Sequence, residues 1–135
     1  MRVFLDANVL FTAAHNPCGK AALLIKLGGN GAWSLHSSHY AVEEARRNLE
    51  RKFPRCLAAL SELLQEFDIA AHHSRLPWPQ GLAVKDRPIF QAALTCNATH
   101  LLTGDLKDFG RFMNRPDKTS GVVIQTVAEF LAGLE

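Results

Sequence analysis

The chain has 135 residues, with 47% apolar and 21% charged residues and a formal net charge of +2. That is one domain's worth of chain and a globular composition, which excludes an intrinsically disordered protein and leaves no room for two full cores. The mild positive charge permits a nucleic-acid partner without demanding one.

No apolar run approaches the roughly 18 residues that span a membrane. Met1-Arg2-Val3-Phe4-Leu5-Asp6 meets an acid too early for a signal peptide, so the chain is read as cytoplasmic, with no membrane partner. Cys18, Cys56 and Cys96 form no CxxC pair. They read as reduced, partly buried thiols rather than a disulfide framework or a zinc cage.

In chain order, Arg2-Val3-Phe4-Leu5 is short, apolar and unalternating, as a strand buried on both faces of a parallel sheet should be. Ala21 to Leu27 reads as a helix ended by Gly28-Gly29. Trp33-Ser34-Leu35-His36 reads as a second strand. Ser37 or Ser38 then caps a helix running to about Lys52, with an apolar stripe of Val42, Ala45, Leu49 and Phe53. After Pro54 a further helix is predicted from the spacing of Leu57, Leu60, Leu64 and Phe67.

Asp68 to His72 is a third candidate strand, and Pro77-Trp78-Pro79-Gln80-Gly81 a turn-rich loop. Arg87 to Ala98 forms a helix apolar nearly all round. Thr99 to Thr103 and Gly121 to Gln125 read as strands, and Val127 to Leu134 as a closing helix. The alternation predicts an α/β fold with a mainly parallel sheet of about five strands, in one domain over residues 1–135.

In such sheets, functional groups gather beyond the carboxyl ends of the strands. Asp6 ends the first strand, Asp105 follows the fourth, Asp86 opens the helix leading into it, and Glu43 and Glu44 lie early in the helix after the second. Carboxylates sharing one edge repel, and a hard divalent cation is the usual relief; Mg²⁺ and Mn²⁺ prefer such oxygen ligands. Each acid also has an ordinary structural explanation. Asp6 and Asn8 can begin a turn, Asp86 ahead of Arg87-Pro88 can cap a helix, Asp105 can make a tight turn, and Asp108 can cap the short segment that follows. Both glutamates project away from the apolar stripe, and the helical wheel does not choose between them.

Phe4-Leu5-Asp6-Ala7-Asn8-Val9-Leu10 resembles the opening motif of PIN-domain nucleases. Glu44-Ala45-Arg46-Arg47-Asn48-Leu49 is similar to their central glutamate segment, Asp86 with Ala92-Ala93-Leu94 to their third acidic motif, and Leu101 to Phe109, LLTGDLKDF, to their fourth. Val123-Ile124 and Glu129-Phe130-Leu131 resemble the family's last strand and helix. The resemblance covers essentially the whole chain.

It implies a three-layer α/β/α sandwich and Mg²⁺- or Mn²⁺-dependent cleavage of RNA. Many small members are VapC-like ribonuclease toxins of type II toxin–antitoxin pairs, often homodimers held inactive by an antitoxin, so the implied partners are an RNA substrate, an antitoxin and a second copy. Carried over by position, Asp6, Glu44, Asp86 and Asp105 form the acidic quartet, with Asp6, Asp86 and Asp105 as metal ligands. Asn8 and Thr103 support the pocket and Asp108 is an auxiliary acid. Glu44 is chosen over Glu43 by its distance from Leu49 alone.

Arg46, Arg47, Arg51, Lys85, Arg87 and Lys107 are candidates for guiding an RNA backbone, and Trp78, between two prolines, is a candidate for stacking on a base. Two other readings stand beside the nuclease. One is a catalytically silent PIN-like module that binds RNA or a partner. The other is an aspartate-based phosphohydrolase, against which Asn8 stands two places after Asp6 and no lysine ends a late strand.

Overall fold

A computed structural model describes residues 1–134. Its centre is a five-stranded sheet in the order β3-β2-β1-β4-β5, with β1 Arg2–Leu5, β2 Ser34–Ser38, β3 Phe67–Ala70, β4 His100–Leu102 and β5 Val123–Gln125. Every pairing is parallel. The expected α/β fold with a parallel sheet is therefore present. Burial explains the composition of the strands: Val3, Phe4, Leu5, Leu101, Leu102 and Ile124 are wholly enclosed, as parallel strands covered on both faces require.

The helices are α1 Ala7–His15, α2 Lys20–Gly29, α3 His39–Lys52, α4 Leu57–Leu63, α5 Arg87–Thr95, α6 Leu106–Phe109 and α7 Val127–Ala132. α1 packs on α2, α3 and α4, while α5 lies against β2. Among the described residues no helix is long and apolar enough to cross a membrane.

Several boundaries move from their expected places for identifiable reasons. The segment after Asp6, read only for its turn formers, is a helix. Asp6 caps it by accepting the Ala7 amide at 2.7 Å, and Ala7, Val9, Leu10, Ala13 and Ala14 supply a buried face. Gly28 and Gly29 belong to the last turn of α2 rather than ending it; a Cβ at Gly28 would collide with Leu35, so only glycine lets α2 lie this close to β2.

Ser38, not Ser37, caps α3, accepting the Ala41 amide at 3.1 Å. Ser37 instead donates to the Leu5 carbonyl, tying β2 to the end of β1. Phe53 is not core: it is the 42%-exposed C-cap of α3 and stacks on His15. Phe67 begins β3 instead of extending α4, which gives way to a 3₁₀ turn over Leu64–Glu66. Trp33 and Ala98 are buried but fall outside the regular elements predicted for them. The three cysteines are free thiols, with Cys18 exposed rather than partly buried.

The register sets up everything that follows. Leu5 pairs with Leu102, and beyond the pair the Asp6 amide donates to the Leu102 carbonyl at 3.0 Å. The strands therefore end level, and the next side chains, Asp6 and Thr103, emerge side by side.

Candidate functional site

Asp6 leaves β1 directly into the first turn of α1, so its carboxyl is held at the junction and only 4% exposed. Oδ1 accepts the Ala7 amide, and Oδ2 accepts the Thr103 hydroxyl at 2.8 Å and the Asn8 side-chain amide at 3.3 Å. Thr103 Oγ1 in turn accepts the Asp105 amide at 3.0 Å and Asn8 Nδ2 at 3.3 Å, which uses its full capacity as one donor and two acceptors. Asn8 Oδ1 accepts the Gly104 amide at 2.7 Å. The two expected supporting residues thus weld the β4–α6 turn to the carboxyl end of β1.

That turn aims Asp105. Its Oδ1 caps α6 by accepting the Asp108 amide at 3.1 Å, so the expected turn role is real, yet Oδ2 takes no part in the cap and lies 3.5 Å from Lys85 Nζ. Asp86 reaches the same place from a separate segment of the chain. A 3₁₀ turn over Val84–Asp86 runs straight into α5. Asp86 occupies the N-cap position but its side chain caps nothing, and its buried Oδ2 has no hydrogen-bond partner. The capping explanation for Asp86 therefore fails. A buried, unpartnered carboxylate oxygen is costly unless a ligand or a proton meets it.

One oxygen each from Asp86, Asp105 and Asp108 lie within 4.8 Å of one another, a spacing able to hold a metal ion. All donors are hard oxygens, which fits Mg²⁺ or Mn²⁺ rather than a thiolate or imidazole metal. Asp108, expected only as an auxiliary, belongs to this trio. Asp6, expected as a ligand, stands beside it with both oxygens already hydrogen-bonded. Asp6 nevertheless senses the group. Burial pushes its carboxyl up to about 6; Thr103 and the Ala7 amide oppose this, and the charges of Glu44 and Asp105 add to it. Asp86 is pushed up to about 7, first by burial, with Lys85 opposing and Asp6, Asp105 and Asp108 adding.

The two glutamates separate in space. Glu43 is exposed and pairs with Arg46 at 3.1 Å on the same helix. Glu44 is half-buried and close enough for its charge to raise Asp6. Inspection of one helix could not make this distinction, because it depends on where α3 lies relative to β1.

Lys85 has a different place from the one expected of a backbone guide. Its Nζ lies 2.9 Å from Asp108 Oδ2 and 3.5 Å from Asp105 Oδ2, so it is the internal counter-ion of the carboxylates. Its pKa is raised and that of Asp108 lowered, in both cases chiefly by their mutual hydrogen bond. The only sequence signal was a cation next to Asp86, and nothing local ties it to residues 105 and 108.

The other basic candidates divide. Arg46 and Arg51 are engaged along α3 with Glu43 and Asn48. Arg87 donates to the Leu82 carbonyl and lies over the Trp78 ring. Arg47 and Lys107 are exposed.

The fold is shared with solved structures. VapBC2 from Rickettsia felis, bound to a DNA fragment from their promoter, has a TM-score of 0.66 at 15% identity, over 93% of this chain and 98% of that one. PAE2754 from Pyrobaculum aerophilum has 0.58 at 21%, over 99% and 98%. VapBC-1 from nontypeable Haemophilus influenzae has 0.57 at 16%, over 95% and 99%. A search of curated proteins by sequence gave no match. A family profile described as PIN domain matches residues 2–107, and with β1, β4 and the acids Asp6, Glu44, Asp86 and Asp105 inside that span, the chain belongs to the PIN domain family.

Proposed function

We propose that the chain is a Mg²⁺- or Mn²⁺-dependent endoribonuclease of the cytoplasm. The observation that carries this reading is the convergence of Asp86, Asp105 and Asp108, with the Asp86 Oδ2 buried and unpartnered. Family membership adds to it, since PIN domains are generally nucleases. Two of the similar structures are VapBC proteins, which supports the toxin role in a type II pair, with an antitoxin and a second copy as partners.

In this reading Asp86, Asp105 and Asp108 hold the cation, and Asp6 and Glu44 contribute negative charge beside it. A bound divalent ion supplies Lewis-acid polarisation of the phosphate and eases deprotonation of the attacking water. The chain's own part is positional. Thr103 and Asn8 fix the Asp6 carboxylate, and the Asp105 cap through Oδ1 fixes the direction of its Oδ2. Lys85 offsets the charge of Asp105 and Asp108 while no metal is bound. Hydrolysis joins a water oxygen to phosphorus and breaks the bond to O3′, leaving a 5′-phosphate and a 3′-hydroxyl.

The phosphohydrolase alternative needs Asp6 as a nucleophile. Its two oxygens accept three hydrogen bonds and the residue is only 4% exposed, which leaves it poorly placed as a nucleophile because both oxygens are already engaged. The decisive experiment is cleavage of an RNA panel with Mn²⁺, with and without chelator, beside Asp6→Asn and Asp105→Asn. Each substitution is expected to abolish cleavage in a folded protein. Full activity in either sinks the assignment. A silent module would instead bind Mn²⁺ no more tightly than its Asp6→Asn variant in calorimetry.

A further inference from the structure

The loop between β3 and α5 is anchored from beneath. Gln91, 3% exposed on α5, donates its amide to the carbonyls of Ser74 at 3.2 Å and Leu76 at 2.7 Å. Arg87 Nε donates to the Leu82 carbonyl at 3.1 Å, and Leu82 itself is buried. These ties hold a loop that carries an exposed indole: Trp78, between Pro77 and Pro79, is 42% exposed. The Arg87 guanidinium lies 4.9 Å from its ring centre, a cation–π contact that stiffens the indole. Arg87 directly follows Asp86, so the indole stands against the neighbour of a site carboxylate.

The same loop also lines a cleft of about 350 Å³, together with Arg111, Phe112 and Lys118, through Pro79 and Gln80. No acid lines it, and among the described residues neither Arg111 nor Lys118 forms an ion pair. Arg111 is pressed so close to Gly81 that a Cβ there would collide with its guanidinium, and the Gly81 φ of +93° also favours glycine. A rigid exposed indole and a cationic cleft therefore share one loop, the cleft beginning at the residue after Trp78.

We propose that this loop and the segment after α6 form a two-part subsite for single-stranded RNA, with a base stacked on Trp78 and a neighbouring phosphate in the Arg111–Lys118 cleft. The subsite rests on the nuclease reading for its substrate. Stacking favours a single strand because every unpaired base offers a π-face, whereas duplex bases are already stacked. Arg111 and Lys118 meet a phosphate without having to leave a carboxylate, unlike Lys85.

The test is anisotropy of a labelled RNA of about eight nucleotides binding the intact chain in EDTA, over a salt series. Trp78→Ala is expected to weaken binding about tenfold with an unchanged salt slope, and Trp78→Phe to restore most of it. Arg111→Gln with Lys118→Gln is expected to flatten the slope by about 0.7 for each phosphate no longer neutralised. A blunt duplex of the same sequence should be indifferent to Trp78. Parent-like affinity and slope in these variants, or equal weakening on duplex, overturns the subsite. Those results leave the nuclease reading intact, because that reading falls only if cleavage is absent or survives Asp6→Asn or Asp105→Asn.

Discussion

The Thr103 hydroxyl donates to Asp6 Oδ2 at 2.8 Å across a separation of 97 residues. It also accepts the Asp105 amide, so one oxygen atom fixes two acids at once. Thr103→Val keeps the shape but strands a buried carboxylate and a backbone amide. The expected loss is about 2 kcal/mol in denaturant unfolding at pH 8. The loss should shrink near pH 5, where Asp6 is largely protonated. Thr103→Ser should stay close to the parent.

Stability without metal should fall as pH rises. Asp6 and Asp86 have ordinary values of 3.8 and folded values of about 6 and about 7. The folded chain therefore holds their protons more tightly than the unfolded one. That stabilisation is complete below about pH 4 and is lost as the pH climbs through 6 and 7. His36 and His100, lowered chiefly by burial, act in the opposite sense, contributing stability that is lost on acidification. The difference between the parent and Asp86→Asn isolates the carboxyl. Melting curves from pH 5 to 8 should show a smaller decline in the variant, by on the order of a few kcal/mol. Mn²⁺ should restore the parent at pH 8 and leave Asp86→Asn much less affected. Parallel curves for the two proteins would contradict the burial account.

Lys85 occupies, in effect, the place of a cation. Because its ammonium pairs with Asp105 and Asp108, it competes with a metal for the same carboxylates. Lys85→Met is expected to tighten Mn²⁺ binding several-fold in calorimetry, the scale set by a solvent-exposed pair. Weaker binding in that variant would mean that the lysine organises the carboxylates rather than competing for them.

Glu44 and Glu43 give a paired control on one helix. Glu44→Gln should lower metal-dependent cleavage by about tenfold or more, because it removes charge beside Asp6. Glu43→Gln breaks only an exposed pair with Arg46 and should change the rate less than about twofold. Equal effects would remove the distinction drawn from the position of α3.

The parts of this molecule visible in its sequence are those specified by short-range pattern. β1 is an unbroken apolar run, α3 has a serine cap and a helical stripe, and Asp6 and Asp105 follow buried strands where charge needs an explanation. What escaped depended on contacts between distant segments. Helix α1 was hidden because Asp6 and Asn8 look like turn formers until Thr103 arrives to satisfy them. Phe67 keeps helical spacing with Leu60 and Leu64, and only its pairing with Leu35 in the sheet makes it a strand residue. Phe53 fits a stripe that ends one turn before it. The role of Lys85 could not be read at all, since its partners lie on another element.

The sheet order places β1 in the middle, with β2 on one flank and β4 on the other. β2 follows early in the chain, whereas β4 begins only at His100. A chain still emerging from the ribosome therefore carries Asp6 with its hydroxyl partner, and the whole LLTGDLKDF segment, not yet made. For a nuclease, synthesis itself keeps the chain harmless until Asp105 and Asp108 have been translated, because no product ending before them can assemble the carboxylates into a working group.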